Sequence, residues 1–189
     1  MDEKLTDEEK SYLLTLARRA IEAGVRGENP PDLDPAALTP ALEAPGASFV
    51  TLTVRGDLRG CIGALEPYQP LAEDVREHAI AAALQDYRFH PVQPHELPNL
   101  KIEVSCLTPP QDLEYARPGD LPGILRPNVD GVTLFDGWRR ATFLPQVWEK
   151  LPNPEDFLAH LCQKMGSSPD LWCLRKLRVQ TYQVEEFSE

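Results

Sequence analysis

Apolar residues recur at helical spacing in three parts of the chain, and each part carries a signal that begins a helix. The first follows Thr6-Asp7-Glu8-Glu9, which has the form of a capping box, and Gly24 is expected to end that helix. The second is expected to run from Pro70 to near Asp86, and the third begins at Asn153-Pro154. The pattern therefore predicts three amphipathic helices.

Between these helices, apolar and polar residues alternate in segments that are typical of strands. The predicted strands are Phe49–Val54, Leu58–Leu65, Lys101–Leu107, Val132–Phe135, Trp138–Leu144 and Arg178–Phe187. Tight turns at Arg55-Gly56-Asp57 and Asp136-Gly137 join four of them into two hairpins. Hairpins with interspersed helices, and no regular βαβ repeat, predict an α+β fold in which a mainly antiparallel sheet is flanked by helices.

A proline-rich connector covers residues 29–45, and we expect an ordered loop there with a turn of helix at Pro35–Leu38. The connector is too short and too apolar to indicate a boundary between domains. Residues 1–189 are therefore predicted to form one domain, which is long enough to bury a large apolar core without disulfides or metals.

The acidic composition narrows the classes of function. A formal net charge of -11 argues against a general nucleic-acid binder and against adhesion to anionic membranes, because both need clustered Lys and Arg. No apolar run approaches the ~20 residues that span a bilayer, and Met1–Glu9 is acidic where a signal peptide is basic and then apolar. The sequence therefore predicts a cytoplasmic protein that does not enter a membrane.

The four cysteines show no CxxC spacing, and no paired histidines stand near them. Free thiols are therefore expected in a reducing compartment, and neither a metal site nor a cofactor is predicted. Cys106, Cys162 and Cys173 are interpreted as structural, and His78 as a core residue on the buried side of its helix.

The candidate chemistry lies in Leu58-Arg59-Gly60-Cys61-Ile62-Gly63, which places a thiol between two glycines on a predicted strand. Glycine within a strand often marks a bulge or a close approach of another group to the backbone. Amides of the Gly60–Gly63 segment could stabilise an oxyanion beside a Cys61 nucleophile, and Arg59, on the same face, could lower the pKa of the thiol. Alternatively, Cys61 packs as a small apolar residue.

A second cluster, Asp86-Tyr87-Arg88-Phe89-His90-Pro91, follows the helix after Cys61 and can return to the same end of the sheet. His90 could serve as the base for the cysteine, and Arg88 could hold a carboxylate or a phosphate. The alternative is structural, since a cation at a helix C-terminus and a turn fixed by proline are common.

The sequence resembles the AMMECR family, whose six-residue signature is the segment Leu58-Arg59-Gly60-Cys61-Ile62-Gly63. Further segments match in the same order, namely 83–89, 96–100, 102–105, 130–132, 140–149 and 157–158. Tyr87 stands where many relatives have proline. The resemblance covers nearly the whole chain and implies an α+β fold with a larger and a smaller lobe, and with the signature near a cleft between them.

The family has no established biochemical function, so the resemblance implies partners more than a reaction. Bacterial and archaeal relatives are linked to a Memo-like protein and to a radical S-adenosylmethionine enzyme, which implies a shared modification pathway with a protein partner or a small anionic metabolite.

Two main hypotheses follow. In the first, Cys61 is the nucleophile of an enzyme, His90 its base, and Arg59 and Arg88 position an anionic substrate. In the second, the chain is a non-catalytic adaptor that binds a small ligand or a protein at Leu58, Arg59, Gly60, Ile62, Gly63 and Arg88. Nucleic-acid recognition is a third and weaker option.

Overall fold

A computed structural model describes residues 4–189, and these residues form two compact units. The first unit consists of residues 4–108 and 185–189, and the second is Pro109–Val184. Each unit has its own antiparallel sheet and its own buried apolar core. The predicted α+β class with mainly antiparallel strands is therefore confirmed, while a single domain covering residues 1–189 stays a prediction.

The helices are α1 (Asp7–Arg26), α2 (Pro40–Glu43), α3 (Leu71–Leu84), α4 (Leu121–Ile124), α5 (Pro154–Lys164) and α6 (Leu171–Leu174). The strands are β1 (Pro45–Val54), β2 (Asp57–Gly63), β3 (Gln69–Pro70), β4 (Leu100–Leu107), β5 (Gln111–Asp112), β6 (Gly131–Asp136), β7 (Arg139–Phe143), β8 (Arg178–Tyr182) and β9 (Val184–Ser188). No helix within residues 4–189 has both the length and the apolar character needed to cross a membrane.

Helix α1 begins at the predicted capping box but ends later than expected. The Thr6 hydroxyl accepts a hydrogen bond from the Glu9 amide, and the Glu9 carboxylate accepts one from the Thr6 amide at 2.7 Å. The predicted end at Gly24 is wrong, because the left-handed conformation that terminates the helix is at Gly27, with φ of 73°. Gly24 instead lies inside the helix, where a side chain would contact Leu84 of α3.

The predicted helical turn at Pro35–Leu38 is also wrong, since residues 35–37 form only a turn. The short helix of the connector is α2, whose N-cap Thr39 accepts from the Leu42 amide and whose first position is Pro40. A capping hydroxyl followed by proline favours a helix start there, whereas Asp34, whose carboxylate accepts from the Ala36 amide at 2.9 Å just before Pro35, is followed only by a turn.

The first unit contains a five-stranded sheet in which β2, β1, β4 and β9 lie side by side and β3 pairs with one end of β1. Helices α1 and α3 pack on it, and their apolar side chains share one core with Val50 and Leu52 of β1 and with Ile102 and Val104 of β4. The β1–β2 hairpin turns at Arg55 and Gly56, which have φ of 55° and 89°. Strand β2 lies at the edge of this sheet, because the strand order begins with β2 and places it beside β1.

In the second unit the strand order is β5-β8-β6-β7, and α5 packs Phe157, Leu158 and Leu161 into the core. The predicted β6–β7 hairpin is confirmed, with Gly137 at φ of 61° in its turn. At the centre of this core the Trp148 ring stacks on Phe157 at 3.7 Å, and Trp148 Nε1 donates to the Asp130 carbonyl at 2.7 Å.

The prediction of one final strand over Arg178–Phe187 is wrong, because this segment divides into two strands that belong to different sheets. Strand β8 pairs with β6 in the second unit, whereas β9 lies beside β4 in the first. Alternation along the sequence reports which face of a strand is buried, but it does not identify the neighbouring strand.

Candidate functional site

Cys61 lies on edge strand β2, directly opposite Thr51 of β1. Its thiol is half-buried, and the Thr51 hydroxyl donates a hydrogen bond to the sulfur at 3.3 Å. The preceding residue, Gly60, faces α3, so the alternation of side chains along a strand puts Cys61 on the opposite face of the sheet.

Both glycines of the signature are required by close packing. A Cβ atom at Gly60 would lie 2.1 Å from the backbone carbonyl oxygen of Ala82 in α3. A Cβ atom at Gly63 would lie 2.4 Å from the Phe49 ring and from the Ser48 carbonyl oxygen. The expectation that glycine here marks a close approach of another group is confirmed, and that group is part of the protein itself.

Arg59 is the extra residue of a β-bulge, because the register passes from Leu52 opposite Gly60 to Thr53 opposite Leu58. Its guanidinium binds Glu96 through two hydrogen bonds, from Nε at 2.8 Å and from Nη2 at 3.0 Å.

The Nη1 group of Arg59 donates to the His90 carbonyl at 2.9 Å. The guanidinium of Arg59 lowers the pKa of Glu96 to about 2, so the two charges are paired at neutral pH. Arg59 thus ties β2 to the 3-10 helix Pro94–Asn99, in which Glu96 lies.

Asp86 and Arg88 together bind the backbone N–H and C=O of Cys61, and we call this pair of residues the peptide clamp. The Cys61 amide donates to Asp86 Oδ2 at 2.8 Å, and Arg88 Nη2 donates to the Cys61 carbonyl at 3.2 Å. Arg88 also donates to both carboxylate oxygens of Asp86, at 2.9 Å and 2.6 Å.

The clamp gives the outer edge of β2 the donor and acceptor that a neighbouring strand would otherwise supply. Asp86 is only 5 % exposed. The guanidinium of Arg88, with the amides of Cys61 and Arg88, holds the pKa of the Asp86 carboxyl well below its usual range.

The structure brings most of the predicted site residues to the edge of the sheet at β2, but it does not place the His90 ring as a base for Cys61. His90 is exposed, and it contributes its backbone carbonyl to Arg59; within residues 4–189 its ring forms no hydrogen bond with the Cys61 sulfur. Leu58 is exposed, whereas Ile62 packs against the core of the first unit.

The other cysteines and His78 take no part in this site. All four thiols are unpaired by disulfides, as predicted. Cys106 is buried, which raises the pKa of its thiol to about 12, and Cys162 is buried in the second core. Cys173 is exposed, and its thiol donates to the Asp170 carbonyl at 3.1 Å. His78 is buried against Asp74, with Nδ1 at 3.1 Å from the carboxylate.

The sequence alone predicted no role for three residues of this site, namely Asp86, Glu96 and Thr51. Asp86 and Glu96 lie in segments that match the family, which was the available signal. Thr51 lies on the neighbouring strand, and only the β1–β2 register identifies it as the partner of Cys61.

Comparison with known proteins gives consistent matches over almost the full length. The family model described as AMMECR1 matches residues 14–187. A protein of Methanothermobacter thermautotrophicus is 41% identical over 190 residues, covering 98% of this chain and 96% of its own length. A protein of Thermofilum pendens is 38% identical, with coverages of 98% and 92%.

The fold also matches a solved structure. The crystal structure of an uncharacterised protein from Pyrococcus horikoshii superposes with a TM-score of 0.81 at 36% identity, covering 98% of this chain and 93% of the other.

Proposed function

The chain belongs to the AMMECR1 family, and from that premise we propose that it is a non-catalytic binding module whose docking surface lies over the clamped Cys61 peptide. We call this surface the Tyr87 surface; it consists of Leu58, Tyr87 and Arg88. The observation that carries the proposal is the peptide clamp, because it binds the N–H and the C=O of Cys61 at the same time.

The clamp supports binding because it fixes the backbone from which exposed side chains project. Tyr87 stands between the two clamp residues and is 94 % exposed, and Leu58 is exposed three residues before Cys61. Tyrosine and arginine are over-represented among residues that contribute most to protein–protein affinity, and a backbone that is already fixed has less entropy to lose on binding.

The same contacts give less support to covalent catalysis. The Cys61 amide, one of the expected oxyanion donors, already donates to Asp86. Arg59 and Arg88, expected to position an anionic substrate, are each paired with a carboxylate. A small anionic ligand would therefore compete with Glu96 or Asp86 for either guanidinium, whereas a protein partner needs no such exchange.

The partner classes implied by the family are a Memo-like protein and a radical S-adenosylmethionine protein. Titration calorimetry of each, taken from the same genome, against this chain is expected to show saturable binding to at least one. Tyr87→Ser is expected to weaken that binding about tenfold, because it removes a central aromatic contact. Cys61→Ala is expected to leave the affinity unchanged.

Val129→Ser is the matched control, since Val129 is an exposed apolar residue of the second unit. A Tyr87→Ser variant that binds like the wild type contradicts the proposed surface. A folded Cys61→Ala variant that loses binding contradicts a module in which the Cys61 thiol takes no part in binding.

We keep a cysteine-dependent enzyme as the second candidate because of one contact. The Thr51 hydroxyl donates to the Cys61 sulfur at 3.3 Å, so a neighbouring side chain orients the atom that would act as the nucleophile. If this candidate is correct, iodoacetamide at pH 7 modifies Cys61 faster than a free model thiol, and Thr51→Val slows the reaction about tenfold or more. Mass spectrometry of the alkylated peptides separates Cys61 from the exposed Cys173, and modification no faster than the model thiol rejects the nucleophile.

A further inference from the structure

The second unit carries an exposed apolar and basic surface that takes no part in the Cys61 site. Trp138, at the tip of the β6–β7 hairpin, is 92 % exposed, and Leu174, at the end of α6, is 72 % exposed. A single exposed apolar side chain is ordinary on a protein surface, whereas several that lie together mark a surface that a partner covers.

A shared carboxylate brings the hairpin tip and the end of α6 together. Asp136 pairs with Arg139, the residue after Trp138, at 2.7 Å, and also with Arg175, the residue after Leu174. Arg139 further donates to the Gly166 carbonyl at 3.1 Å. We call Trp138, Leu174, Arg139 and Arg175 the Trp138 patch.

The Trp138 patch has an excess of positive charge. Two guanidiniums share the single carboxylate of Asp136, and that carboxylate is largely buried while both guanidiniums are partly exposed. Next to it, Arg178 lies over the Phe135 ring at 4.9 Å and pairs with Asp112. Arg178 and Asp112 balance each other, so the excess comes from the guanidiniums of Arg139 and Arg175 against the one carboxylate of Asp136.

The distribution of charge along the chain makes this excess significant. The second unit has nine basic and nine acidic side chains, so the net charge of -11 resides entirely in the rest of the chain. The Trp138 patch is thus a positively charged surface on a neutral unit of an acidic protein, and the field that it presents favours a negatively charged partner.

We propose that the Trp138 patch is a docking surface for an acidic segment of a partner protein, in which carboxylates meet Arg139 and Arg175 and an apolar side chain packs on Trp138 and Leu174. Tryptophan with flanking arginines is the composition of an interface hot spot. A leucine has no aromatic face on which a nucleobase could stack. The two arginines are already paired with Asp136 and are too few to bind successive phosphates, so the observations favour a protein partner over a nucleic acid.

A peptide of the expected chemistry tests this surface directly. A fluorescein-labelled peptide of alternating Glu and Leu is titrated with the full chain, and anisotropy is read at 50 mM and 300 mM salt. Saturable binding that weakens at the higher salt is expected, with Trp138→Ser and Arg175→Glu each weakening it about tenfold or more. Leu65→Ser, which changes an exposed apolar residue of the first unit, is expected to bind like the wild type.

Four outcomes would overturn the proposal. The first two are that the wild type shows no saturable binding below about 1 mM peptide, or that Trp138→Ser binds the peptide as tightly as the wild type does. The other two are that the wild type binds a peptide with Lys in place of Glu equally well, or that it binds a single-stranded oligonucleotide of the same charge more tightly than the peptide. Sedimentation of the wild type adds a fifth, because self-association that Trp138→Ser abolishes would assign the patch to a second copy of this chain. The Tyr87 surface is untouched by these variants, so the two proposals fail independently.

Discussion

Replacing Gly60 by alanine is expected to lower the free energy of unfolding by about 3 kcal/mol or more, the upper end for an overpacked core. The added Cβ would lie 2.1 Å from the Ala82 carbonyl oxygen and 3.1 Å from the Ala82 carbonyl carbon. Those atoms belong to the backbone of α3, so no change of rotamer removes the overlap. The helix must move away from β2, and the core that the two share must open.

Urea unfolding followed by circular dichroism measures the effect as a shift of the midpoint at unchanged slope. Gly123→Ala is the control, because a Cβ there meets nothing within 4 Å and the residue lies in α4. That variant is expected to be as stable as the wild type or up to about 1 kcal/mol more stable. If the two variants have equal midpoints, close packing of β2 against α3 is not the reason for glycine at position 60.

Elements whose signals lie within a few residues were predictable from the sequence. The capping box at Thr6, the cap and proline that begin α5, and the Asp136-Gly137 turn each depend on contacts inside one short segment. Their chemistry is local, so the residue types alone determine them.

Features that depend on a distant segment were not predictable in the same way. The sequence indicates that Gly60 matters, but the reason is Ala82, which lies two elements later in the chain. The division of the tail between β8 and β9 depends on β6 and β4 as partners.

The site shows the same limit. The sequence suggested that Arg59 and Arg88 contact a ligand, whereas their carboxylate partners become visible only when the chain is folded. A charged residue that is paired inside the protein and one that binds a ligand have the same pattern in a sequence.

Asp86→Asn is expected to lower the free energy of unfolding by about 2–3 kcal/mol at pH 7. Asparagine keeps the volume of the side chain, but it offers one acceptor oxygen where Asp86 accepts from the Cys61 amide and from Arg88. Its amide group would then face another donor in a nearly dry site. The cost stays below that of breaking a fully buried pair because Arg88 is half-exposed and can be solvated.

The pH dependence distinguishes the charge of Asp86 from its shape. Since the pKa of Asp86 is lowered in the folded protein, its contribution is complete above the unfolded pKa of about 4 and is lost as pH falls through the folded value. The difference in stability between wild type and Asp86→Asn is therefore expected to be constant from pH 7 to about pH 5 and to shrink below about pH 4. Glu96, with its pKa lowered to about 2, titrates in both proteins and cancels in the difference.

Glu103→Gln is a control for which the expected change in stability with pH has the opposite sign. Desolvation at the surface of the sheet and the negative charge of Glu186 raise the pKa of Glu103, whose side chain is exposed, so its ionised form slightly destabilises the fold at neutral pH and that penalty disappears as pH falls. This variant is expected to be more stable than the wild type at pH 7 and equal to it in acid. Urea unfolding of the wild type and both variants between pH 3 and pH 7 gives the difference in stability of each variant from the wild type. If the loss of stability in Asp86→Asn does not change with pH, the peptide clamp depends on the shape of Asp86 and not on its charge.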